Sequence, residues 1–413
     1  MGIDKKYELF EGVEANEDQK RAIDSLLSFL DSKEQRDSFC LIGKGGTGKT
    51  TIIKKVVEQV KGRPYVMSAA PSHAAKNVLK ESLGDTVEEV HTIASILGMK
   101  LNVNKGKFEI DEYSRREYGI PIETADILII DECSMVGEEV NTLIKKHKSP
   151  HCKVIQLGDS HQLPPIRPSD DSLFRDKNSP CFDSPLFIEL RERMRQVKGS
   201  PIVPITDIYA DAIEAIDSNS PYKDIPLLAE HRVTVYNPEL DEGVIFTDRR
   251  DRAIANLAMD LKKEEAQDDL NYARALVYTN SARDYINERV RKLLFGEELD
   301  QYVVGETVIS FSTYALPSGK VVTHNSDIYK VDKVREGVHK KGYKILKLTL
   351  RTLGGKNIEV PVIHKESERD FNEEANAYLL QRRFKKYYDL LNSVANIQYA
   401  YAITSHKSQP RGL

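Results

Sequence analysis

The sequence predicts an α/β protein that opens with a phosphate-binding domain, and three observations carry that reading. A short apolar run, Ser38–Gly43, leads straight into a glycine-rich turn, Gly43–Thr50. The run Thr51–Lys61 then resumes helical periodicity. Further apolar runs at Tyr65–Ala69, Ile127–Ile130 and Lys153–Leu157 have the length of strands, and each stops just before a polar, motif-like stretch. Such continuous apolar runs suit strands buried on both faces of a parallel sheet. The carboxyl ends of those strands are where an open α/β sheet gathers its functional residues.

Composition bounds the rest. A chain of 413 residues holds two to four domains at roughly 100–200 residues each. Hydrophobic residues at 40% and charged residues at 30% give a globular balance, with apolar material for more than one core. Lys and Arg number 60 against 64 Asp and Glu, for a formal net charge of -4. That excludes a polycation, so any nucleic-acid binding has to come from local patches. No apolar run approaches the ~18 residues of a membrane span. The opening Met-Gly-Ile-Asp-Lys-Lys has no apolar signal core. Lys6 stands where myristoylation of Gly2 needs Ser or Thr. A cytoplasmic protein with no membrane partner is expected. Cys40, Cys133, Cys152 and Cys181 form no C-x-x-C pair, so they read as reduced core thiols rather than zinc ligands.

Along the chain, residues 16–30 place Ala22, Ile23, Leu26, Leu27 and Leu30 at helical spacing. The α/β rhythm of a first domain over 1–200 breaks between 98 and 124. There LNVNKGKFEI reads as a hairpin turning at Asn104-Lys105-Gly106, followed by a polar stretch. Residues 201–242, rich in Pro, Ser and Asp, read as a connecting region. A second α/β pattern covers 243–315 and resumes at 395–413, with a strand at Ala275–Thr279 and a helix after it. Between its halves, 316–394 reads as a β-rich insertion with a helical tail.

GKGGTGKT, Gly43 to Thr50, matches G-x-x-x-x-G-K-[ST] in full. Gly43, Gly45, Gly46, Thr47 and Gly48 form a turn whose backbone N–H groups converge on phosphate oxygens. The helix that follows, with Thr51 in its first turn, aims its positive end at the same anion. Lys49 is expected on the β- and γ-phosphates and Thr50 on Mg²⁺. Asp131 and Glu132 directly follow the strand ILII. The first acid suits Mg²⁺, and the second suits orienting and deprotonating the attacking water. ATP and Mg²⁺ are therefore the expected cofactors. No N-K-x-D follows the loop, which counts against a GTPase.

The order of motifs then resembles superfamily 1 helicases, closest to the RecD-like branch that includes bacteriophage Dda-type enzymes. GKGGTGKT is followed by APSHAA (70–75), VHTIASILG (90–98), DECSM (131–135), LGDSHQLPPI (157–166), LRERMRQ (190–196), LVYTNSARDYIN (276–287) and AITSHKSQ (402–409). The match covers nearly the whole chain. The resemblance implies two RecA-like P-loop motor domains with a hairpin pin in the first and a β-rich accessory insertion in the second. It implies ATP-driven 5′ to 3′ travel on single-stranded DNA and separation of duplex at single/double-strand junctions. The setting would be replication or repair, with a monomer as the unit and replication or single-strand-binding proteins as partners. It assigns Gln19 to adenine, and Asp159 and Gln162 to sensing the γ-phosphate. Arg195 would reach the γ-phosphate, with Arg191 and Arg193 as nearby alternatives that read rather as surface residues. It assigns Pro71, Ser72, His73, His91 and Thr92 to single-strand contacts in the first motor, and Thr404, His406 and Lys407 in the second. Phe108, just past the hairpin turn, would stack at a duplex fork. Residues 330–356 carry nine basic side chains against Asp332 and Glu336, either a solvated face or a single-strand channel.

The last motif departs from the pattern. Gln409 is followed by Pro410-Arg411-Gly412-Leu413 instead of a glycine and a Ser or Thr, and the family's final motif is absent. The expectation from this reading is a truncated or altered second motor that binds ATP and single-stranded DNA with little turnover. An RNA-directed P-loop hydrolase is the other alternative, since phosphate contacts alone do not exclude RNA.

Overall fold

The computed structural model describes residues 4–33, 38–62, 64–87, 89–102, 107–165, 178–194, 199–217 and 234–408. The chain divides into two compact units, one within 1–99 and 110–248, the other within 100–109 and from 249 onward.

The first unit is built on a six-stranded sheet. Its strands are β1 (Ser38–Gly43), β2 (Val66–Ala70), β3 (Glu89–Thr92), β4 (Ile127–Ile130), β5 (Lys153–Gly158) and β6 (Phe187–Leu190). Their spatial order is β6-β1-β5-β4-β2-β3, and every neighbouring pair is parallel. Leu41, Leu128, Ile129, Ile130, Ile155 and Leu157 are wholly buried, as continuous apolar strands covered on both faces must be. Helix α1 (Glu17–Asp31) starts at a capping box: Gln19 N donates to Asn16 Oδ1 at 2.8 Å, and Asn16 N donates to Gln19 Oε1 at 3.0 Å. Its Ala22, Ile23, Leu26 and Phe29 share one core with Ile52, Ile53 and Val56 of α2 (Lys49–Gln59). Burying each of the larger side chains contributes about 1.5–3 kcal/mol. Helices α3 (His73–Leu83) and α4 (Glu138–His147) follow β2 and β4. The four cysteines are buried, and none of them forms a disulfide.

The strands Met99–Asn102 and Lys107–Ile110 pair as a hairpin, and the polar stretch after them forms the helix Glu112–Tyr118. A longer helix, α5 (Ile202–Asp217), occupies the stretch that reads from sequence as a connection. Pro204 masks it. In the first turn of a helix proline breaks nothing, because the N–H it lacks would have had no intrahelical partner.

In the second unit the motor-like part is the parallel pair β7 (Ala275–Val277) and β13 (Ala402–Thr404). After helix α6 (Arg250–Asp260), helix α7 (Asn280–Phe295) fastens to it through Asn287, whose amide donates to Ala402 O at 3.2 Å and accepts from Ala402 N at 2.8 Å. One turn on, the buried Arg291 pairs with the buried Glu306 and stacks 3.9 Å from the centre of the Tyr399 ring. The β-rich part is an antiparallel sheet in the order β11 (Asn357–Ile363), β10 (Lys344–Arg351), β9 (Ile328–Val338), β8 (Thr307–Ser310), β12 (Ile397–Tyr399). It therefore takes in strands on both sides of 316–394. Val331, Leu346, Leu348, Leu350, Val360 and Val362 fill its core. Helices α8 (Lys365–Leu380) and α9 (Phe384–Leu391) pack on it through Phe371, Ala375 and Leu390.

Much of the basic run is paired here. Arg335 meets Glu359, Lys341 meets Glu374, Lys344 meets Glu366, and Arg351 meets Asp332 at 3.3 Å. Three of those acids lie beyond residue 356, so a count over the run alone overstates its charge. Glu374 also accepts from the hydroxyls of Tyr343 and Tyr378. With Lys341 first among the causes, these donors hold its carboxyl down at about 2. A depressed carboxylate contributes stability above its unfolded value, and that contribution is lost as pH falls through the folded one. Between about pH 4.5 and 2, the wild-type thermal midpoint is therefore expected to fall more steeply than that of Glu374→Gln, which has no such group to protonate. Parallel slopes by differential scanning calorimetry would contradict this.

Candidate nucleotide site and strand-contact residues

Parallel register aligns the strand ends of the first unit. Ile42 pairs with Gly158, Ala69 with Ile130, Ala70 with Thr92, and Leu190 with Gly43. One edge of the sheet thus carries the glycine-rich loop, Asp131-Glu132, Asp159, Pro71-Ser72-His73, Thr92 and the segment that begins at Arg191.

The loop is shaped by two left-handed glycines, Gly46 at φ 82° and Gly48 at φ 89°, the latter capping α2. A Cβ on Gly43 would stand 2.6 Å from Thr47 Oγ1, and one on Gly48 would stand 2.8 Å from Gln19 Nε2. A Cβ on Gly45 would meet nothing within 4 Å, so protein packing does not require glycine there. The Thr47 hydroxyl donates to Lys44 O at 2.9 Å. Lys49 Nζ donates to Gly43 O at 2.5 Å and Lys44 O at 3.3 Å, which holds the ammonium over the loop. Thr50 and Thr51 are half-buried in the first turn of α2. Asp159 joins from the end of β5: its Oδ2 accepts from Gly45 N at 3.1 Å, its Oδ1 accepts from His161 N at 3.0 Å, and its carbonyl accepts from Gln162 N at 3.2 Å.

The acid pair is strained and desolvated. Glu132 has φ 52°, left-handed backbone for a residue with a side chain, which costs on the order of 1 kcal/mol or more. Its N–H donates to Asp131 Oδ1 at 2.9 Å. Burial, then the adjacent Asp131, push the Glu132 carboxyl up to about 7 against the pull of Lys49. Burial also raises Asp131, with the Glu132 N–H and Lys49 opposing it. A carboxyl that gains a proton near neutrality has the basicity that proton abstraction needs.

Gln19 is 1% exposed, and its amide bonds within the protein: Oε1 in the capping box, Nε2 donating to Thr47 O at 3.1 Å. It ties α1 to the phosphate loop. The strand-contact hydroxyls are helix caps. Ser72 Oγ accepts from Ala75 N at 3.1 Å, and Thr92 Oγ1 accepts from Ser95 N at 3.2 Å. A capping hydroxyl keeps its own hydrogen for a phosphate. Pro71 and His73 flank Ser72 and are half-buried, and His91 Nε2 lies 2.7 Å from Glu89 Oε2. In the second unit Thr404 ends β13, and Lys407 contacts Asn325 with its ammonium 4.5 Å from the centre of the Phe311 ring. Arg195 and the side chains of Phe108 and His406 lie outside the described residues.

Arg193 corrects the sequence reading. Arg191 is a surface side chain, 81% exposed, but Arg193 is 14% exposed. Its Nη2 donates to Asp207 Oδ1 at 2.7 Å and its Nη1 to Thr206 Oγ1 at 2.9 Å. Lys44 Nζ of the loop donates to the same Asp207 oxygen at 3.0 Å, and Met194 N donates to Gly46 O at 2.8 Å. Thr206 and Asp207 were missed because their helix was hidden. The signal was present in the apolar spacing of IVPITDIYADAI, with Asp207 on its polar side.

Comparison with known proteins agrees with this geometry. A family model described as an AAA domain matches residues 14–204. The chain is 25% identical over 324 residues to the ATP-dependent DNA helicase Dda of Enterobacteria phage T4, over 76% of this chain and 66% of that protein. It is 27% identical over 177 residues to the ATP-dependent RecD2 DNA helicase of Deinococcus radiodurans, over 43% of this chain and 22% of that one. The chain thus spans just under two thirds of the first relative and about a fifth of the second. Bacteroides Pif1 bound to single-stranded DNA shares the fold with a TM-score of 0.51 at 17% identity, over 96% of this chain and 84% of that one. In motif order and in the six-stranded parallel sheet with its glycine-rich loop, the chain is similar to superfamily 1 helicases of the Dda and RecD type, and it shares its fold with Pif1.

Proposed function

We propose that the chain hydrolyses ATP to move along single-stranded DNA, 5′ to 3′, and to separate duplex at single/double-strand junctions. The observation that carries this reading is the shared sheet edge, where Lys49, the desolvated Asp131-Glu132 pair and the loop-bound Asp159 stand together. Lys49 and the loop N–H groups bind the β- and γ-phosphates. Glu132 orients the attacking water and takes its proton as the water oxygen bonds to the γ-phosphorus and the bond to the ADP oxygen breaks. Gln162 and Arg195 complete the γ-phosphate contacts, and Gln19 borders the base while it holds the loop.

Mg²⁺ fits the donor set. The described residues contain no cluster of three or more His, Cys, Asp or Glu that would cage a metal, and Thr50 and Asp131 offer the one or two hard oxygens Mg²⁺ takes from a protein beside phosphates and water. When bound, it neutralises charge on the phosphate oxygens. For the strand, Pro71, Ser72, His73, His91, Thr92, Thr404, His406 and Lys407 supply hydroxyl, ring and ammonium contacts. Phe108 stacks at the fork.

The test is steady-state ATP hydrolysis with and without single-stranded DNA, using Lys49→Ala as the blank, followed by unwinding of duplexes with a 5′ or a 3′ tail. Turnover that rises with DNA and unwinding from the 5′ tail support the reading. Turnover indifferent to DNA would overturn the translocase, and unwinding from the 3′ tail would overturn the direction. Equal stimulation by a matched RNA would overturn the choice of DNA.

A further inference from the structure

We propose that Asp207 is a positioning residue of the nucleotide site: through one carboxylate oxygen it holds Lys44 of the phosphate loop and Arg193 of the segment after β6. This deepens the ATP-site reading above and rests on it. Lys44 Nζ and Arg193 Nη2 both donate to Asp207 Oδ1, at 3.0 and 2.7 Å. Thr206, the preceding residue of α5, accepts the other arm of the guanidinium at 2.9 Å. The planar fork of Arg193 is thus fixed at both ends by consecutive helical residues, which a lysine's point charge would not achieve.

Three features separate this from an ordinary surface ion pair, which contributes little. The guanidinium is largely buried, at 14% exposure. The next residue, Met194, donates its N–H to Gly46 O at 2.8 Å, so the segment is joined to the loop at the backbone as well. Asn16, the cap of α1, donates to Glu192 Oε2 at 2.7 Å and holds the same segment from the other side. Arg195 follows directly in sequence. Asp207 therefore links α5, the loop and the arginine segment.

The charges also have a direction. Two cations share one carboxylate, which leaves a net positive charge beside a loop that binds anions. Asp207 itself repels phosphate while it orders the cations. Removing its charge without changing its size should separate the two effects. In Asp207→Asn, affinity for a nucleoside triphosphate should rise, by about tenfold for one unit charge roughly 12 Å from the phosphates at an effective dielectric of about 20. Turnover should fall, because a misplaced arginine segment costs on the order of a hundredfold. A role confined to holding the fold would weaken binding and turnover together.

The measurement is the dissociation constant of a fluorescent ATP analogue, with kcat and KM for ATP, on the full chain as wild type, Asp207→Asn, Asp207→Glu and Lys49→Ala. The inference expects tighter binding with lower kcat in Asp207→Asn, and a return to wild-type affinity in Asp207→Glu, which keeps the charge. Weaker binding in Asp207→Asn, or unchanged constants, overturns it. If Lys49→Ala binds the analogue as well as wild type does, the ATP-site reading and this inference fall together. If Lys49→Ala loses binding and Asp207→Asn matches wild type, only the inference fails.

Discussion

Glu132→Gln is expected to lower kcat for ATP by about 10²–10⁴-fold, the range of a positioned general base, with nucleotide affinity kept within about threefold. Glutamine matches the shape of the glutamate, so the left-handed turn at φ 52° is preserved, and the N–H of residue 132 still reaches Asp131. What is lost is the proton acceptor. The environment makes that loss specific: burial and Asp131 have raised the Glu132 carboxyl to about 7, which gives it the basicity to take a proton. Pre-steady-state quench of a single turnover, beside equilibrium binding of an ATP analogue, separates the two quantities. Normal single-turnover chemistry in Glu132→Gln would show that another group takes the proton.

Lys49→Ala has the second large effect. The ammonium donates to the carbonyls of Gly43 and Lys44. Its removal takes a positive charge from the phosphate site and two hydrogen bonds from the loop carbonyls. Loss of one such electrostatic contact costs about 10²–10³ in kcat. Nucleotide affinity falls too, because the lysine acts on the ground state as well as on the transition state. The expected result is no DNA-stimulated hydrolysis above a control without protein and weaker analogue binding, with circular dichroism and thermal midpoint close to wild type. Hydrolysis within tenfold of wild type would remove Lys49 from the site.

The two substitutions differ in a way that ties them to the structure. Glu132→Gln should leave a protein that still binds ATP, whereas Lys49→Ala should lose binding and turnover together. A pair of variants with the same phenotype would imply that one of the two side chains acts only through the fold.

The parts of the chain that were legible before any coordinates are those whose pattern is local. The strand Ser38–Gly43, the loop and the strand Ile127–Ile130 lie where their apolar runs and glycines put them. The motif order placed Lys49, Asp131, Glu132 and Asp159 together, and parallel register does bring their strand ends to one edge. Helix α5 was obscured by Pro204 and by the polar residues around it, and Arg193 was read as surface because nothing nearby in sequence pairs with it. Its partner is 14 residues on, on a helix that packing brings back to the loop. The basic run 330–356 fails as a charge estimate for the same reason. Its neutralising acids Glu359, Glu366 and Glu374 come from β11 and α8.

By itself the sequence determined the phosphate-loop chemistry, the acid pair, the strands that carry them and the family they resemble. These depend on residue type, spacing and local backbone preference, all of which are written in adjacent positions. Only the tertiary structure decided that Gln19 bonds to Asn16 and Thr47, that Arg193 and Lys44 share Asp207, and that burial and Asp131 raise the Glu132 carboxyl. Hydrogen-bond partners and desolvation depend on which distant elements pack together, and no run of neighbouring residues encodes that.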